Sequence, residues 1–226
     1  MVNALPASQS LQVAGFGCIR NGRVLLRDID LEVQSGQILL LQGGNGTGKS
    51  TLLRSLAGLM SWRAGELIWC GRQVTARHPE FQLQLAYLGH QCAMSDALSG
   101  MENLRFALQM QGVCWSAKQV VPVLEQLGLA DLMQRPVARL SQGQRRRLAL
   151  TRVMLSGRSV WLLDEPDNAL DAQACIWLAD LLAAHAQAGG LSIVVSHRGI
   201  TVPNTPTRVL DLSAQAPQMR VLEAAA

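Results

Sequence analysis

Gly43-Gly44-Asn45-Gly46-Thr47-Gly48-Lys49-Ser50 brings together the residue types that handle phosphate. Glycines let successive backbone amides curl around an anion, and a helix opening directly after them adds positive potential. Lys49 is spaced to reach the β- and γ-phosphates of a nucleotide. A compact ammonium on a thin stem enters such a ring of amides, where a planar guanidinium fork does not. Ser50 offers its hydroxyl to Mg²⁺, and Thr51 adds a contact to the α-phosphate. The run fits Gly-x-x-x-x-Gly-Lys-Ser, the phosphate-loop pattern. Lysine is scarce elsewhere: of 20 basic residues only Lys49 and Lys118 are lysine, and the other 18 are arginine.

Downstream residues narrow the chemistry. Val160-Trp161-Leu162-Leu163 is an apolar run ending in Asp164-Glu165. Asp164 suits Mg²⁺ coordination through water, and Glu165 suits a base that orients and deprotonates an attacking water. The phosphate loop alone also fits a kinase or a GTPase; with these acids it suits nucleotide hydrolysis supported by Mg²⁺.

These groups need elements to hold them. Leu11 to Cys18 and Ile29 to Val33 read as strands around the turn Arg20-Asn21-Gly22. Ile38-Leu39-Leu40-Leu41 is a strand apolar on both faces, which feeds the glycine loop, and a helix follows from about Gly48 to Leu59. Glu66 to Trp69 and Leu85 to Leu88 are further strands. Between about residues 92 and 156 the pattern becomes helical. Ser99-Gly100-Met101-Glu102 and Ser141-Gln142-Gly143-Gln144 are two capping boxes, each opening a helix. Ser159 to Leu163 and Leu191 to Val195 are buried strands around a helix from Asp171 to Ala188. Arg208 to Leu212 and Met219 to Leu222 close the chain. The expectation is one domain over 1–226, an α/β core with a helical insertion.

Composition excludes other classes. The 226 residues carry 49% hydrophobic and 16% charged side chains, which suits a globular chain rather than a disordered one. No apolar run approaches the length of a membrane span, and Met1 to Ser10 do not read as a secretory signal. Five cysteines without a Cys-x-x-Cys pair fit neither a disulfide framework nor a zinc site. Net charge is +4, but the arginines are scattered, so the pattern does not select nucleic acid. The one cluster, Arg145-Arg146-Arg147, reads as a basic helix start that pairs at the surface or lies near bound nucleotide.

Leu140-Ser141-Gln142-Gly143-Gln144 resembles the signature motif of ATP-binding cassette (ABC) proteins, usually Leu-Ser-Gly-Gly-Gln. The resemblance extends over essentially the whole chain, with motifs in the family's order. It implies a P-loop NTPase fold with a RecA-like core, a small antiparallel β subdomain and a helical subdomain at about 92–156. Gln91 matches the family's Q-loop glutamine, a contact to Mg²⁺ and the attacking water. Asn168-Ala169-Leu170-Asp171 matches its D-loop, and His197 its switch histidine at the γ-phosphate. Ser141, Gly143 and Gln144 would bind the γ-phosphate held by a second copy, so the resemblance implies a homodimer with ATP sandwiched head to tail. Two positions depart from the pattern. Gln142 stands where relatives carry a small residue, and Arg20 stands where many place an aromatic ring under adenine.

Tyr87-Leu88-Gly89-His90-Gln91 and Glu102-Asn103-Leu104-Arg105-Phe106 are similar to the ATP-binding subunits of cytochrome c maturation systems, the haem exporter ATPases. That resemblance implies a peripheral subunit on the cytoplasmic face of a bacterial inner membrane. Its partners would be an integral-membrane permease subunit of the CcmB type and haem-handling maturation proteins. Two alternatives stay open: an ABC ATPase for another cargo such as lipid or lipoprotein, and a soluble one acting on nucleic acid or ribosomes.

Overall fold

The computed structural model describes residues 8–20, 22–114, 116–197, 199–213 and 218–222. Asn21, in the turn read at Arg20-Asn21-Gly22, lies outside them. Among the described residues, ten strands form two sheets. In the first sheet, β1 (Ser10–Arg20) pairs antiparallel with β2 (Arg23–Gln34) and with β4 (Ala64–Trp69), and β5 (Arg72–Val74) closes the edge in the order β2-β1-β4-β5. Strand β1 changes face midway. Leu11 and Val13 are buried, and then so are Phe16 and Cys18, with a register shift between the two pairs. A bulge of that kind keeps both halves of the strand on the core side.

The second sheet runs β10-β9-β3-β8-β7-β6. Its members are β3 (Ile38–Gln42), β6 (Leu85–Leu88), β7 (Val160–Asp164), β8 (Leu191–Val195), β9 (Thr207–Asp211) and β10 (Gln218–Leu222). All neighbours are parallel except β10, which pairs antiparallel with β9. Every residue of β7 and β8 is buried, as are the first four of β3. Such continuous apolar runs are what helices on both faces of a parallel sheet demand. Helix α1 (Lys49–Leu56) covers one face with Leu52, Leu53 and Leu56, and α6 (Ala172–Gln187) covers the other with Leu178 and Leu182. Between β5 and β6 lies the short helix α2 (Pro79–Gln84).

Helices α3 (Gly100–Met110), α4 (Ala117–Gln126) and α5 (Gln142–Leu155) lie between β6 and β7 in sequence. They share a separate core of Leu104, Leu108, Val120, Leu124, Met133 and Leu148. Both capping boxes form. Ser99 Oγ accepts from the Glu102 amide while Glu102 accepts from the Ser99 amide, and Ser141 and Gln144 do the same at α5.

The sequence reading and the structure part at a few places. β5, α2 and α4 are not among the expected elements. Within Arg145-Arg146-Arg147 the expected surface pairing holds for Arg145 and not for Arg146. Arg145 pairs with Asp96 at 2.9 Å near the surface, and Arg147 donates to Leu127 O, but Arg146 is only 3% exposed. The helical period explains this, because three consecutive residues of a helix cannot share one face.

Candidate nucleotide-binding and hydrolytic site

The glycine loop leaves the C-terminal end of β3, where a doubly covered parallel sheet opens a crevice. The helix it feeds starts without a side-chain cap and without an acid in its first turn. Among the described residues its first amides have no hydrogen-bond partner, which leaves them available to an anion. Gly48 is the N-cap with φ of 100°, and a Cβ there would lie 2.8 Å from Leu26 Cγ. Both the left-handed backbone and the packing against β2 demand glycine.

Lys49 is 6% exposed, and its Nζ donates to Gly43 O at 2.7 Å and Gly44 O at 2.8 Å. The ammonium is thus folded back into the loop's own mouth, where it can exchange carbonyl oxygens for phosphate oxygens. Thr47 Oγ1 donates to Gly44 O, and the Gly44 amide donates to Ser213 Oγ, so the loop is tied to the end of β9. Asn45 and Gly46 form the exposed tip, and Thr51 is buried in α1.

Ser50 and Asp164 come together from α1 and β7. Ser50 Oγ donates to Asp164 Oδ1 at 3.0 Å. Asp164 is fully buried, and its Oδ2 has no hydrogen-bond partner. Burial pushes its pKa up, against the lowering effect of the Ser50 hydrogen bond. A buried carboxylate oxygen without a partner, next to a hydroxyl and facing the phosphate loop, has the donor set that a Mg²⁺ ion takes.

Glu165 follows at the strand end with φ of 53°, in the left-handed region that costs a non-glycine residue about 1–3 kcal/mol. Its amide donates to Val195 O on β8 at 2.9 Å. Its carboxylate lies between two imidazoles: His197 Nε2 is 2.9 Å from Oε1, and His90 Nδ1 is 3.3 Å from Oε2. The structure brings Glu165 and His197 together. It adds His90, which the sequence reading left without a role in this site. Only its adjacency to Gln91 could have signalled it.

Gln91 itself is exposed on the wall of a neighbouring cleft of ≈ 550 Å³, lined also by His90, Gln142, Arg146 and Ala169. Gln142 is exposed at the rim, so this side chain in a small-residue position meets no obstacle within the chain. Gly143 has a steric reason: a Cβ there would sit 2.6 Å from Ala169 O. Among the described residues, no hydrogen bond or ion pair joins Ser141, Gly143 or Gln144 to the phosphate loop. Arg20 lies exposed at the end of β1.

A family model described as ABC transporter matches residues 26–168. The chain belongs to the ABC transporter family. Within that family it is 44% identical over 216 residues to a cytochrome c biogenesis ATP-binding export protein, CcmA, of Bordetella bronchiseptica, covering 96% of this chain and 95% of that one. The protein of the same name from Dechloromonas aromatica is 38% identical, covering 89% of this chain and 99% of its own. Among solved structures, an ATP-binding subunit of an ABC transporter superposes with a TM-score of 0.78 at 23% identity, covering 92% of this chain and 89% of that one. An ABC transporter ATP-binding protein from Pyrococcus furiosus superposes at 0.77 and 21%, covering 90% and 97%. At those identities the structural likeness bears on the fold alone: the parallel core with its antiparallel sheet is that of ABC ATP-binding domains. Among the described residues, no helix is long and apolar enough to cross a membrane.

Proposed function

We propose that this chain is the ATP-hydrolysing subunit of a membrane ABC complex serving cytochrome c biogenesis. The observation that carries the chemistry is Glu165, a carboxylate at the end of β7 beside the Ser50–Asp164 pair and within 2.9 Å of His197. The pathway rests on the relatives' printed role and on their end-to-end match to this chain.

In this reading the free amides of the loop and of α1, with Lys49, hold the β- and γ-phosphates. Gly43, Gly44, Asn45, Gly46, Thr47 and Gly48 supply the cradle, and Thr51 sits at the α-phosphate. Ser50 and Asp164 would hold Mg²⁺, and Gln91 would reach it from the neighbouring cleft. When bound, the ion neutralises charge on the β- and γ-phosphate oxygens. Glu165 takes the proton of a water aimed at the γ-phosphorus, and His197 fixes the carboxylate and reaches the γ-phosphate. Arg20 can stack its guanidinium on the adenine.

Ser141, Gly143 and Gln144 act on the nucleotide of a second copy. The Gln144 amide is taken by Ser141 Oγ, which leaves the Gln142 and Gly143 amides for the anion. Two copies would dock on an integral-membrane subunit at the cytoplasmic face of the inner membrane, alongside haem-handling partners.

The test is Glu165→Gln, which keeps shape and removes the base. Hydrolysis should fall about 100-fold or more while ATP still binds; a wild-type rate sinks the base assignment. Recovery of the chain from membranes with a permease and haem-chaperone components supports the pathway. Stimulation by RNA in a membrane-free preparation speaks for the soluble alternative.

A further inference from the structure

Arg146 is a buried guanidinium that the hydrolytic chemistry above does not use. It lies on the second turn of α5, is 3% exposed, and pairs with no carboxylate among the described residues. Burying such a charge without a counter-ion is costly unless its donors find acceptors. The acceptors here are three main-chain carbonyls. Nη1 donates to Gly89 O at 2.9 Å, and Nη2 donates to Asp164 O at 3.0 Å and also to Glu165 O.

The choice of acceptors gives the residue its meaning. Glu165 is held on both sides of its own Cα. Its amide is fixed by Val195 O, and its carbonyl by Arg146 and by the Asn168 amide. Those three anchors, of which only Arg146 is a side chain, hold φ at 53°, a conformation the residue would leave if freed. The third acceptor precedes His90, whose ring stands against the other carboxylate oxygen. One side chain therefore joins the backbone of the glutamate to that of the histidine beside it.

We propose that Arg146 is a positioning residue for hydrolysis. It ties the helix that begins with the signature residues to the strand end that carries Glu165, so that the carboxylate is aimed from α5 rather than from the phosphate-loop side. The proposal rests on the reading of Glu165 as the base. A guanidinium is suited to this because its rigid fork spans three oxygens at once, which an ammonium cannot do at fixed geometry.

The experiment measures ATP turnover and nucleotide affinity for Arg146→Met and Arg146→Lys in the full chain, alone and combined with Glu165→Gln. Arg146→Met should lower kcat about 100-fold while KM for ATP and Kd for ADP stay within about threefold. Arg146→Lys should recover part of the rate, to within about tenfold of wild type, and carries the test if the methionine variant does not fold. On the Glu165→Gln background, Arg146→Met should change the residual rate by less than about twofold, because the group it aims is gone. The proposal is overturned if Arg146→Met keeps kcat within about threefold, if affinity falls in step with kcat, or if the full loss persists on Glu165→Gln. A wild-type rate in Glu165→Gln alone strikes the base reading instead, so the two failures are distinguishable.

Discussion

At the scale of single residues, the demand on Lys49 is the tightest. Its ammonium sits 2.7 and 2.8 Å from two loop carbonyls and is almost wholly shielded. A planar, branched head does not match the single point from which the ammonium meets both Gly43 O and Gly44 O, although the chain supplies arginine for nearly every other positive charge. Lys49→Arg, neutral in net charge, should reduce hydrolysis about 100-fold or more, because the guanidinium cannot meet the β- and γ-phosphates from that position. Lys118→Arg, exposed on α4 and in no hydrogen bond or ion pair with a group described at the site, should leave turnover within about twofold. Steady-state turnover of the two variants beside wild type decides it; a near-normal rate in Lys49→Arg contradicts the phosphate-loop reading. Glu165 makes a different demand. Its function needs direction, and direction is set by its strained backbone and by neighbours from three other segments: Val195, Arg146 and the histidines His90 and His197.

At the scale of elements, α6 carries a built-in acid sensitivity. His185 stacks on Trp161 of β7 with ring centroids 3.6 Å apart and planes 8° from parallel. Burial pushes its pKa down from 6.5 to about 4, with hydrogen bonds to the Leu191 and Ser159 backbone opposing the shift. The unfolded chain binds a proton here before the folded one does. This contribution to stability is complete above about pH 6.5 and is lost as pH falls towards 4, a loss of about 3 kcal/mol in total. Denaturant titrations of wild type and His185→Leu should diverge in slope across that interval, the variant being flatter; parallel curves refute it. Element scale is also where sequence legibility divides. β3, β7 and β8 announce themselves as unbroken apolar runs, and Ser99-Glu102 and Ser141-Gln144 announce helix starts, because each signal is local. α4 hides its Val120–Leu124–Leu127 face behind Pro122, which reads as a breaker, and β5 has three residues and no buried one. At the site, Lys49, Ser50, Asp164 and Glu165 are legible because motif spacing encodes them. Arg146 and His90 are not. Their partners lie far away in sequence, and a basic run looks alike whether one member is buried or none is.

At the scale of the whole molecule, the two halves of the proposed chemistry sit at separate places on one chain. The phosphate loop, Asp164 and Glu165 gather at the C-terminal ends of β3 and β7. Ser141, Gly143 and Gln144 open α5 and face the D-loop through the close approach of Gly143 to Ala169 O. The Ser141–Gln144 box is closed on itself, so its two remaining amides point to a ligand that this chain's own loop does not deliver. The proposed head-to-tail pair of copies would resolve this, since a two-fold axis would place each signature against the other's nucleotide. That arrangement makes a quantitative prediction. Lys49→Ala should abolish hydrolysis through the loop, and Ser141→Arg through the signature, each in homodimers. In an equimolar mixture that exchanges subunits, about half of the dimers are mixed, and each mixed dimer has one site with an intact loop and an intact signature. If the two sites fire independently, the mixture should therefore regain about a quarter of the wild-type rate. The regained rate should also fall on dilution as the pair dissociates. No recovery in mixtures shown by sedimentation to contain mixed dimers would mean that the signature does not act across the interface, and that both halves of the chemistry must be sought within one chain.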